Sequence, residues 1–195
     1  MTDAPAPALP TRSFEGLQVP EAGTYAIDTS HSELTFSVRH MMVSKVRGHF
    51  GDVEGTITFG DDPLASTVAV DIAVGSIATG SPDRDAHLTS ADFFDAETFP
   101  QITFRSTGVR DVKGDQFTLE GDLTVRDVTR PISFTATYNG VGRNPWGQVV
   151  VGFEGRTEID REDFGLTWNQ ALETGGVLVG KVATIDVAIE ATPQA

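Results

Sequence analysis

Residues 45–60 read KVRGHFGDVEGTITFG, a stretch that is strand-like throughout and interrupted only by glycines. Two interpretations fit it. Gly51 and Asp52 could form the two-residue turn of a β-hairpin, or the glycines could be bulges in one long bent strand. One strand of this length, rising ~3.3 Å per residue, would span roughly 50 Å. That span favours an elongated barrel over a compact sandwich, but the residues themselves leave both interpretations open.

The segments on either side alternate apolar and polar residues, which is typical of half-buried β-strands. Upstream, LTFSVRH turns Leu34, Phe36, Val38 and His40 to one face. The downstream positions that alternation turns inward are, segment by segment, Val68, Val70, Ile72 and Val74; Ile102 and Phe104; Phe117, Leu119, Gly121, Leu123 and Val125; Ile132, Phe134, Ala136 and Tyr138; Val149, Val151, Phe153, Gly155 and Ile159; and Ile185, Val187 and Ile189. With a first strand near Tyr25–Thr29, this pattern predicts eight or nine strands.

Only two segments look helical. Asp83–Asp95 follows Pro82, a helix-start signal, and carries Leu88, Phe93 and Phe94 on a short apolar patch. DREDFG, residues 160–165, is long enough for at most a turn or two. Many antiparallel strands and so little helix predict an all-β protein, and closure into a barrel removes the exposed edges of the sheet.

Composition narrows the classes of function. The chain has 195 residues, enough for one domain with a sizeable core, and a formal net charge of −14. That charge argues against a nucleic-acid-binding protein, which needs a basic face, and disfavours docking on an anionic membrane. The absence of cysteine excludes disulfides, thiolate nucleophiles and Cys-ligated metals, and it fits a reducing compartment.

The first residues, MTDAPAPALPTRSFEGLQVPEAG, are rich in Pro and Ala and lack the basic and apolar regions of a signal peptide. We therefore predict a flexible N-terminal extension over residues 1–22, a barrel domain over residues 23–192, and a cytoplasmic location. No segment is long and apolar enough to be an integral membrane span.

Catalytic motifs are largely missing from the chain. No Ser lies in a G-x-S-x-G elbow, no nucleotide-binding loop is present, and the four histidines form no H-x-x-x-H or H-E-x-x-H pair. Asp83, Asp85 and His87 resemble a ligand loop, but the Gly and terminal Glu of a calcium loop are missing. The two acids would equally suit the start of a helix. We predict no metal ion, no cofactor and no catalytic residue.

His40 and the basic residues beside it form a second polar feature. Alternation turns His40 inward near Phe36 and Val38, either as a satisfied rim histidine or as a contact for the polar end of a ligand. Arg39, Lys45, Arg47 and His49 form a run without acids from Leu34 to Gly51, and the phase that turns Val46 and Phe50 inward directs Lys45, Arg47 and His49 to solvent.

Large apolar residues dominate the predicted interior. They either fill a small barrel or line a ligand cavity in an eight-stranded one, and composition does not choose between these. Small Gly121, Gly155 and Ala136 stand beside the Phe and Val set, and we expect them to leave room along the axis for a tubular lumen.

Several ordered motifs together resemble the YceI-like family of polyisoprenoid-binding proteins over residues 25–191. They are YAIDTSHSELTFSVRH, KVRGHF, IATGSPDRDAHLTSADFFDAETFPQITF, GDLTVRDVTRPISF, NPWG and DREDFGL. The resemblance implies an extended eight-stranded antiparallel lipocalin-like barrel with an apolar pore for a long isoprenoid or similar lipid, and no established catalytic residues. It also implies that residues 45–60 are one long bent strand.

The resulting hypothesis is non-enzymatic binding, storage or transport of a long-chain isoprenoid, a quinone or a prenyl phosphate, or a fatty-type lipid. One alternative is an enzyme acting on such a lipid with Asp85 and His87 as an acid–base pair. Another is a stress or interaction protein with a filled barrel. A homodimer is a further partner that the residues allow, and no nucleic-acid partner is expected.

We expect the ligand to contact a set of interior and rim residues, namely Phe36, Val38, His40, Phe50, Val70, Ile72, Arg84, His87, Leu88, Phe104, Leu119, Leu123, Phe134 and Phe153. Residues 83–95 are predicted to form a lid at one mouth of the pore. On a helix, Arg84, His87 and Leu88 would share a face. Arg84 and His87 would then contact a polar or anionic head group; in the alternative, Arg84 pairs with Asp83, Asp85 or a nearby loop acid and only anchors the lid.

Overall fold

A computed structural model describes residues 8–173 and 175–194. This part of the chain contains thirteen β-strands, one α-helix, and three 3₁₀ turns at Pro63–Ala65, Val74–Ser76 and Arg161–Phe164. The strands and the helix are β1 (Thr11–Phe14), β2 (Leu17–Pro20), β3 (Gly23–Ile27), β4 (Glu33–His40), β5 (Ser44–Phe50), β6 (Val53–Phe59), β7 (Thr67–Ala73), β8 (Ile77–Ala78), α1 (Pro82–Thr89), β9 (Gln101–Lys113), β10 (Gln116–Val125), β11 (Val128–Arg143), β12 (Val149–Asp160) and β13 (Val179–Pro193).

Eight of the strands close into an antiparallel barrel. The order around the ring is β12, β11, β10, β9, β7, β6, β3 and β13, and the pairing of β12 with β13 completes it. Closure leaves no free edge in this ring, as expected for a sheet in which every strand has two partners. The predicted eight-stranded antiparallel barrel with one or two short helices is confirmed, although the described residues contain thirteen strands rather than the eight or nine that alternation predicts.

The stretch 45–60 forms two strands, β5 and β6, that follow one another across a bend at Gly51 and Asp52. Its two halves, β5 and β6, pair with β4 and β3 respectively and not with each other, so Gly51 and Asp52 do not form a hairpin turn. The Gly51 amide donates to the carbonyl of Ser76, and the carbonyl of Asp52 accepts from the Ala73 amide. These bonds hold the bend against the connection that follows β7. The hairpin interpretation is wrong.

The two strands before this stretch, β3 and β4, both pair with β13. β13 pairs with β3 through residues 191–193 and with β4 through residues 179–188, so β3 and β4 lie along one edge of β13. At its far end β5 pairs with the two-residue strand β8. The β4–β5 hairpin therefore continues the barrel wall past the end of β12.

The two ends of the barrel differ. We call one the helix end; it carries α1, the β10–β11 turn at Arg126–Asp127 and the 3₁₀ turn Arg161–Phe164. The opposite end, where β6 ends and β7 begins, is called the hairpin end because β1 and β2 lie against it. Each end has its own cluster of buried side chains, one built around Phe164, Ile102 and Leu123 and the other around Tyr25, Phe59 and Val151.

Regular structure begins earlier in the chain than the sequence indicated. Residues 11–20, which fall in the predicted flexible extension, form an antiparallel hairpin through β1 and β2. Its two-residue turn, Glu15 and Gly16, has positive φ at both positions, 47° and 86°, as a type I′ turn requires. Residues 1–7 lie outside the described residues, and the domain boundary at residue 22 stays a prediction.

The helix is shorter than predicted. α1 ends at Thr89 and Ser90 is extended, with φ −72° and ψ 172°, while its hydroxyl donates to the carbonyl of His87. Residues 90–99 continue as a series of turns, so Phe93 and Phe94 follow the helix rather than belong to it. Among the helices of the described residues, none is long and apolar enough to cross a membrane.

Candidate ligand cavity

An apolar cavity of about 320 Å³ extends inside the barrel from the helix end to the hairpin end. Every strand of the ring supplies apolar side chains to its wall, from Ile27 on β3 to Ile185 on β13. The volume is at the lower end of the range of roughly 300–1,000 Å³ that ligand pockets occupy. It is also far larger than the space that one water molecule needs.

Most of the predicted contact residues line this cavity. They are Phe36, Val38, Phe50, Val70, Ile72, Leu88, Phe104, Leu119, Leu123, Phe134 and Phe153. The strand residues among them face inward because successive residues of a strand point to opposite sides of the sheet. Three predicted residues, His40, Arg84 and His87, are not part of the wall.

His40 keeps the inward phase of β4 but lies beyond the cavity. It pairs with Val179, whereas the last residue of β12, Asp160, pairs with Val182. The β4–β5 hairpin thus extends past the rim at the helix end, and His40 lies in this extension. Lys45, Arg47 and His49 are exposed on the same hairpin, which confirms the prediction that they face solvent.

Arg84 and Asp85 at the start of α1 are both bonded to Thr79. The Arg84 Nε donates to the Thr79 hydroxyl at 2.7 Å, and Nη2 donates to the Thr79 carbonyl at 2.9 Å. The Thr79 amide and hydroxyl both donate to the Asp85 carboxylate. This arrangement anchors the helix to the end of β8 through a threonine rather than through the ion pair that the sequence suggested.

His87 lies in an aromatic cluster at the helix end. Its ring is nearly perpendicular to those of Phe93 and Trp168, with centroids 5.1 and 4.6 Å away. Its Nε2 lies 2.9 Å from the Asp92 carboxylate. Of the three residues predicted to share a face, therefore, only Leu88 reaches the cavity.

Gly121, one of the three small residues expected to leave room along the axis, instead makes room for an aromatic ring, and Gly48 does the same. A Cβ on Gly121 would lie 2.3 Å from Cζ of Phe104, and one on Gly48 would lie 2.5 Å from Cζ of Phe36. The rings therefore lie against the glycines. Ala136 and Gly155 do line the cavity, although a Cβ on Gly155 would already be 3.0 Å from Val187.

Part of the wall at the hairpin end was not predicted from the sequence. Arg12, Phe14, Leu17 and Val19 line the cavity from β1 and β2. Their alternation around Glu15–Gly16 is present in the sequence, but its two apolar runs are short and lie in a Pro-rich segment. The Pro- and Ala-rich composition of this segment predicts a flexible extension, whereas the apolar alternation on either side of Glu15–Gly16 correctly indicates a hairpin.

Arg161 is a second wall residue that the sequence pattern did not indicate. It is only 4% exposed, lines the cavity at the helix end, and donates to the carbonyls of Gly180 and Leu166. Burial lowers the pKa of its guanidinium from the ordinary value, against the opposing effect of Glu162. These contacts tie the turn after β12 to the start of β13.

One group of side chains has the spacing of metal ligands. Among the described residues, potential ligand atoms of Asp28, His31 and Glu190 lie within 4.8 Å of one another at the surface. His31 Nδ1 is 2.9 Å from Asp28 Oδ2, and Ser30 donates to Oδ1 of the same carboxylate. Hydrogen bonds from Ser30 and His31 lower the pKa of Asp28 to about 2, and Asp28 in turn raises the pKa of His31.

Comparison with known proteins identifies relatives over most of the chain. The family model described as the YceI-like domain matches residues 25–191. A UPF0312 protein of Staphylococcus aureus strain N315 is 39% identical over 175 residues, which cover 87% of this chain and 95% of that protein. The family match begins after β1 and β2.

Solved structures share the barrel. The YCEI protein of Campylobacter jejuni superposes with a TM-score of 0.68 at 28% identity, covering 80% of this chain and 90% of that one. A polyisoprenoid binding domain from Saccharophagus degradans, implicated in plant cell wall breakdown, superposes with a TM-score of 0.67. It covers 87% of this chain and 98% of its own, at 14% identity, a level that shows the fold alone.

Proposed function

The chain belongs to the YceI-like family, and from this premise we propose that it binds one long apolar chain, an isoprenoid or a similar lipid, without chemically altering it. The observation that carries the proposal is the apolar cavity that extends from one end of the barrel to the other. A neighbour of the same fold is a polyisoprenoid binding domain, which supports an isoprenoid as the ligand.

The chemistry of the wall favours a tail over a head group as the source of affinity. Burial contributes about 0.8 kcal/mol for each CH₂-sized group. A tail of many such groups can therefore bind tightly even though the wall offers few hydrogen-bonding atoms. The charged lining residues include Arg161 at the helix end and Arg12 and Asp115 at the hairpin end.

The enzyme alternative needs Asp85 and His87 to act together. Asp85 accepts hydrogen bonds from Thr79, while His87 is engaged with Asp92 and packs against Trp168. Two groups held by different partners do not form the hydrogen-bonded acid–base pair that this hypothesis requires. The arrangement supports binding without catalysis. Storage, transport, a homodimer and a cytoplasmic location stay predictions.

A pair of variants on β11 tests the proposal. Ala136 is buried and lines the cavity, whereas its neighbour Thr135 is exposed on the outer face. Ala136→Phe places a ring where the tail would lie, and each CH₂-sized group that the ring keeps out of the cavity costs about 0.8 kcal/mol of binding energy. We expect geranylgeraniol to bind Ala136→Phe at least about tenfold more weakly than wild type, since two such groups already exceed the ~1.4 kcal/mol of a tenfold change, and Thr135→Phe like wild type.

Affinity is measured by titration of delipidated protein, and native mass spectrometry of gently purified protein identifies co-purified lipid. Wild-type protein that binds neither prenols nor fatty acids would overturn the proposal in favour of a barrel without a lipid ligand. Conversion of the lipid during incubation would show an enzyme instead. Thermal unfolding of both variants establishes that the barrel is intact.

A further inference from the structure

The hairpin β1–β2 lies outside the family domain, yet one of its faces forms part of the cavity wall. Arg12 pairs with Val19 and Phe14 pairs with Leu17, so these four side chains share a face. All four line the cavity, and Val19 is 9% exposed. The alternate residues Ser13 and Gln18 are exposed on the other face.

Two anchors on opposite sides of the barrel hold this hairpin. Arg12 of β1 donates to the carbonyls of Gly60 and Asp61, in the connection from β6 to β7. Tyr138 of β11 donates its hydroxyl to the carbonyl of Gln18 at 2.7 Å. Around the ring, β11 and β6 are separated by β10, β9 and β7 on one side and by β12, β13 and β3 on the other. The hairpin therefore spans the mouth of the barrel.

The side chains around this mouth continue the apolar wall. Leu64 from the β6–β7 connection, Val109 and Val112 from β9, and Phe117 from β10 line the cavity together with the hairpin. A tail that runs along the axis from the helix end therefore meets Phe14 and Leu17 at its terminus. The backbone of the hairpin is held from both sides, so these two side chains mark a fixed end of the site.

We propose that the β1–β2 hairpin is part of the binding site and sets the length of the apolar chain that the barrel accepts. This inference rests on the proposed function. Phe14 and Leu17 contact the end of the tail, and Arg12 and Tyr138 hold the hairpin in place. A chain longer than the distance to Phe14 would have to displace the hairpin and break these anchors, so its affinity falls.

Full-length variants test the inference with prenols of increasing length. Wild type, Phe14→Ala/Leu17→Ala, Phe14→Trp and the outer-face control Ser13→Ala/Gln18→Ala are each offered a mixture of geraniol, farnesol, geranylgeraniol and solanesol. Native mass spectrometry measures which prenol is retained, and dilution measures its dissociation rate. The control keeps the backbone carbonyl of Gln18 that Tyr138 contacts.

We expect the double alanine variant to prefer a chain longer by at least one isoprene unit and to release farnesol several-fold faster than wild type. Phe14→Trp shifts the preference to a shorter chain, and the control keeps the wild-type preference. If the double alanine variant unfolds at a lower temperature, Leu17→Ala alone replaces it. Shifts in opposite directions from Ala and Trp distinguish a change of length from a loss of stability.

The experiment distinguishes a failure of the proposed role of the hairpin from a failure of the proposed function. A wild-type protein that binds prenols, with a length preference that neither Phe14→Trp nor the alanine variants change, overturns the role of the hairpin and leaves the proposed function intact. A wild-type protein that binds no apolar chain of any length overturns the proposed function, and the role of the hairpin falls with it.

Discussion

At the scale of the residue, the interior depends on side chains that fit against glycine. Phe104 on β9 lies over Gly121 of its neighbour β10, and Phe36 on β4 lies over Gly48 of β5. Each glycine lacks the Cβ that would stand where the ring is. Because interiors are close-packed, a single added carbon at such a position is not absorbed by small shifts.

Gly121→Ala tests this fit. Its Cβ would lie 2.3 Å from the Phe104 ring and 2.7 Å from the Arg105 carbonyl, and the backbone atom cannot move aside like the end of a flexible side chain. We expect a loss of about 1–3 kcal/mol in the free energy of unfolding, measured in urea. The control Gly142→Ala, where the nearest atom is Val150 Cγ2 at 3.6 Å, should change it by less than about 1 kcal/mol. Equal losses at both sites would contradict the role of close packing.

The Asp28–His31 pair at the junction of β3 and β4 predicts a pH dependence. Asp28 raises the pKa of His31 above 6.5, so the stabilisation from the charged imidazole is present below pH 6.5 and lost as pH rises through the folded value. Asp28, with a pKa of about 2 against an ordinary 3.8, stabilises above pH 3.8 and loses this effect as pH falls towards 2. The pair therefore stabilises the folded protein most between pH 3.8 and pH 6.5.

NMR titration of the His31 ring measures the effect directly. We expect a pKa above 6.5 in wild type and a return towards 6.5 in Asp28→Asn, because the amide no longer offers a negative charge. A His31 pKa that is the same in both proteins would show that the contact does not form in solution.

At the scale of the element, alternation was sufficient to place the interior residues. From β4 to β13 the inward positions that it predicts are largely those that line the cavity, because the two-residue period of a strand leaves one choice of face. Gly51–Asp52 was ambiguous because a turn and a bend use the same residues. The pairing of β5 with β4 and of β6 with β3 excludes the turn, and the local sequence pattern does not contain this information.

In the candidate site, the sequence predicts which apolar side chains line the cavity, but it does not predict polar contacts with residues that are distant in the chain. Leu88 was placed correctly through its apolar character, whereas the contacts of Arg84 and His87 depend on Thr79, Asp92 and Trp168. Trp168 lies far from His87 in the chain, so no spacing rule connects them. The length of α1 was overestimated because Phe93 and Phe94 look like its apolar face.

The α1 element gives a prediction about head groups. Arg84 is bonded to Thr79 through two nitrogens and His87 to Asp92, so we expect both residues to position α1 rather than to contact a ligand. Arg84→Ala and His87→Ala should each weaken binding of a prenyl pyrophosphate and of a neutral quinone with the same tail by equal factors. Titration of both ligands measures this.

The control for these variants is Arg105→Ala, which removes an outer-face arginine paired with Asp71 and should affect neither ligand. Selective weakening of the pyrophosphate by Arg84→Ala would restore the head-group role that the sequence suggested. It would also show that the guanidinium leaves Thr79 when an anion is present.

At the scale of the whole molecule, the barrel has two unlike ends. The helix end is covered by α1, the aromatic cluster of His87, Phe93 and Trp168, and the turn tied down by Arg161. The hairpin end is spanned by β1 and β2, which are not part of the family domain. The closed ring between the two ends gives the cavity a continuous wall of strands.

The cavity of about 320 Å³ has a consequence for the volume of the protein. Unfolding exposes the cavity wall to water and removes internal space, so the system contracts, and hydrostatic pressure favours the unfolded chain by an amount that scales with that space. The contraction is typically about 20–100 mL/mol. Ala136→Phe, which fills part of the space, should unfold with a smaller contraction than wild type, and Thr135→Phe should not.

Fluorescence of Trp146 and Trp168 under increasing pressure measures this contraction for each variant. A prenol that occupies the cavity should reduce it further, because it fills internal space. An identical contraction for wild type and Ala136→Phe would mean that the interior collapses on its own in solution. The volume change of unfolding would then report how much of the cavity is filled.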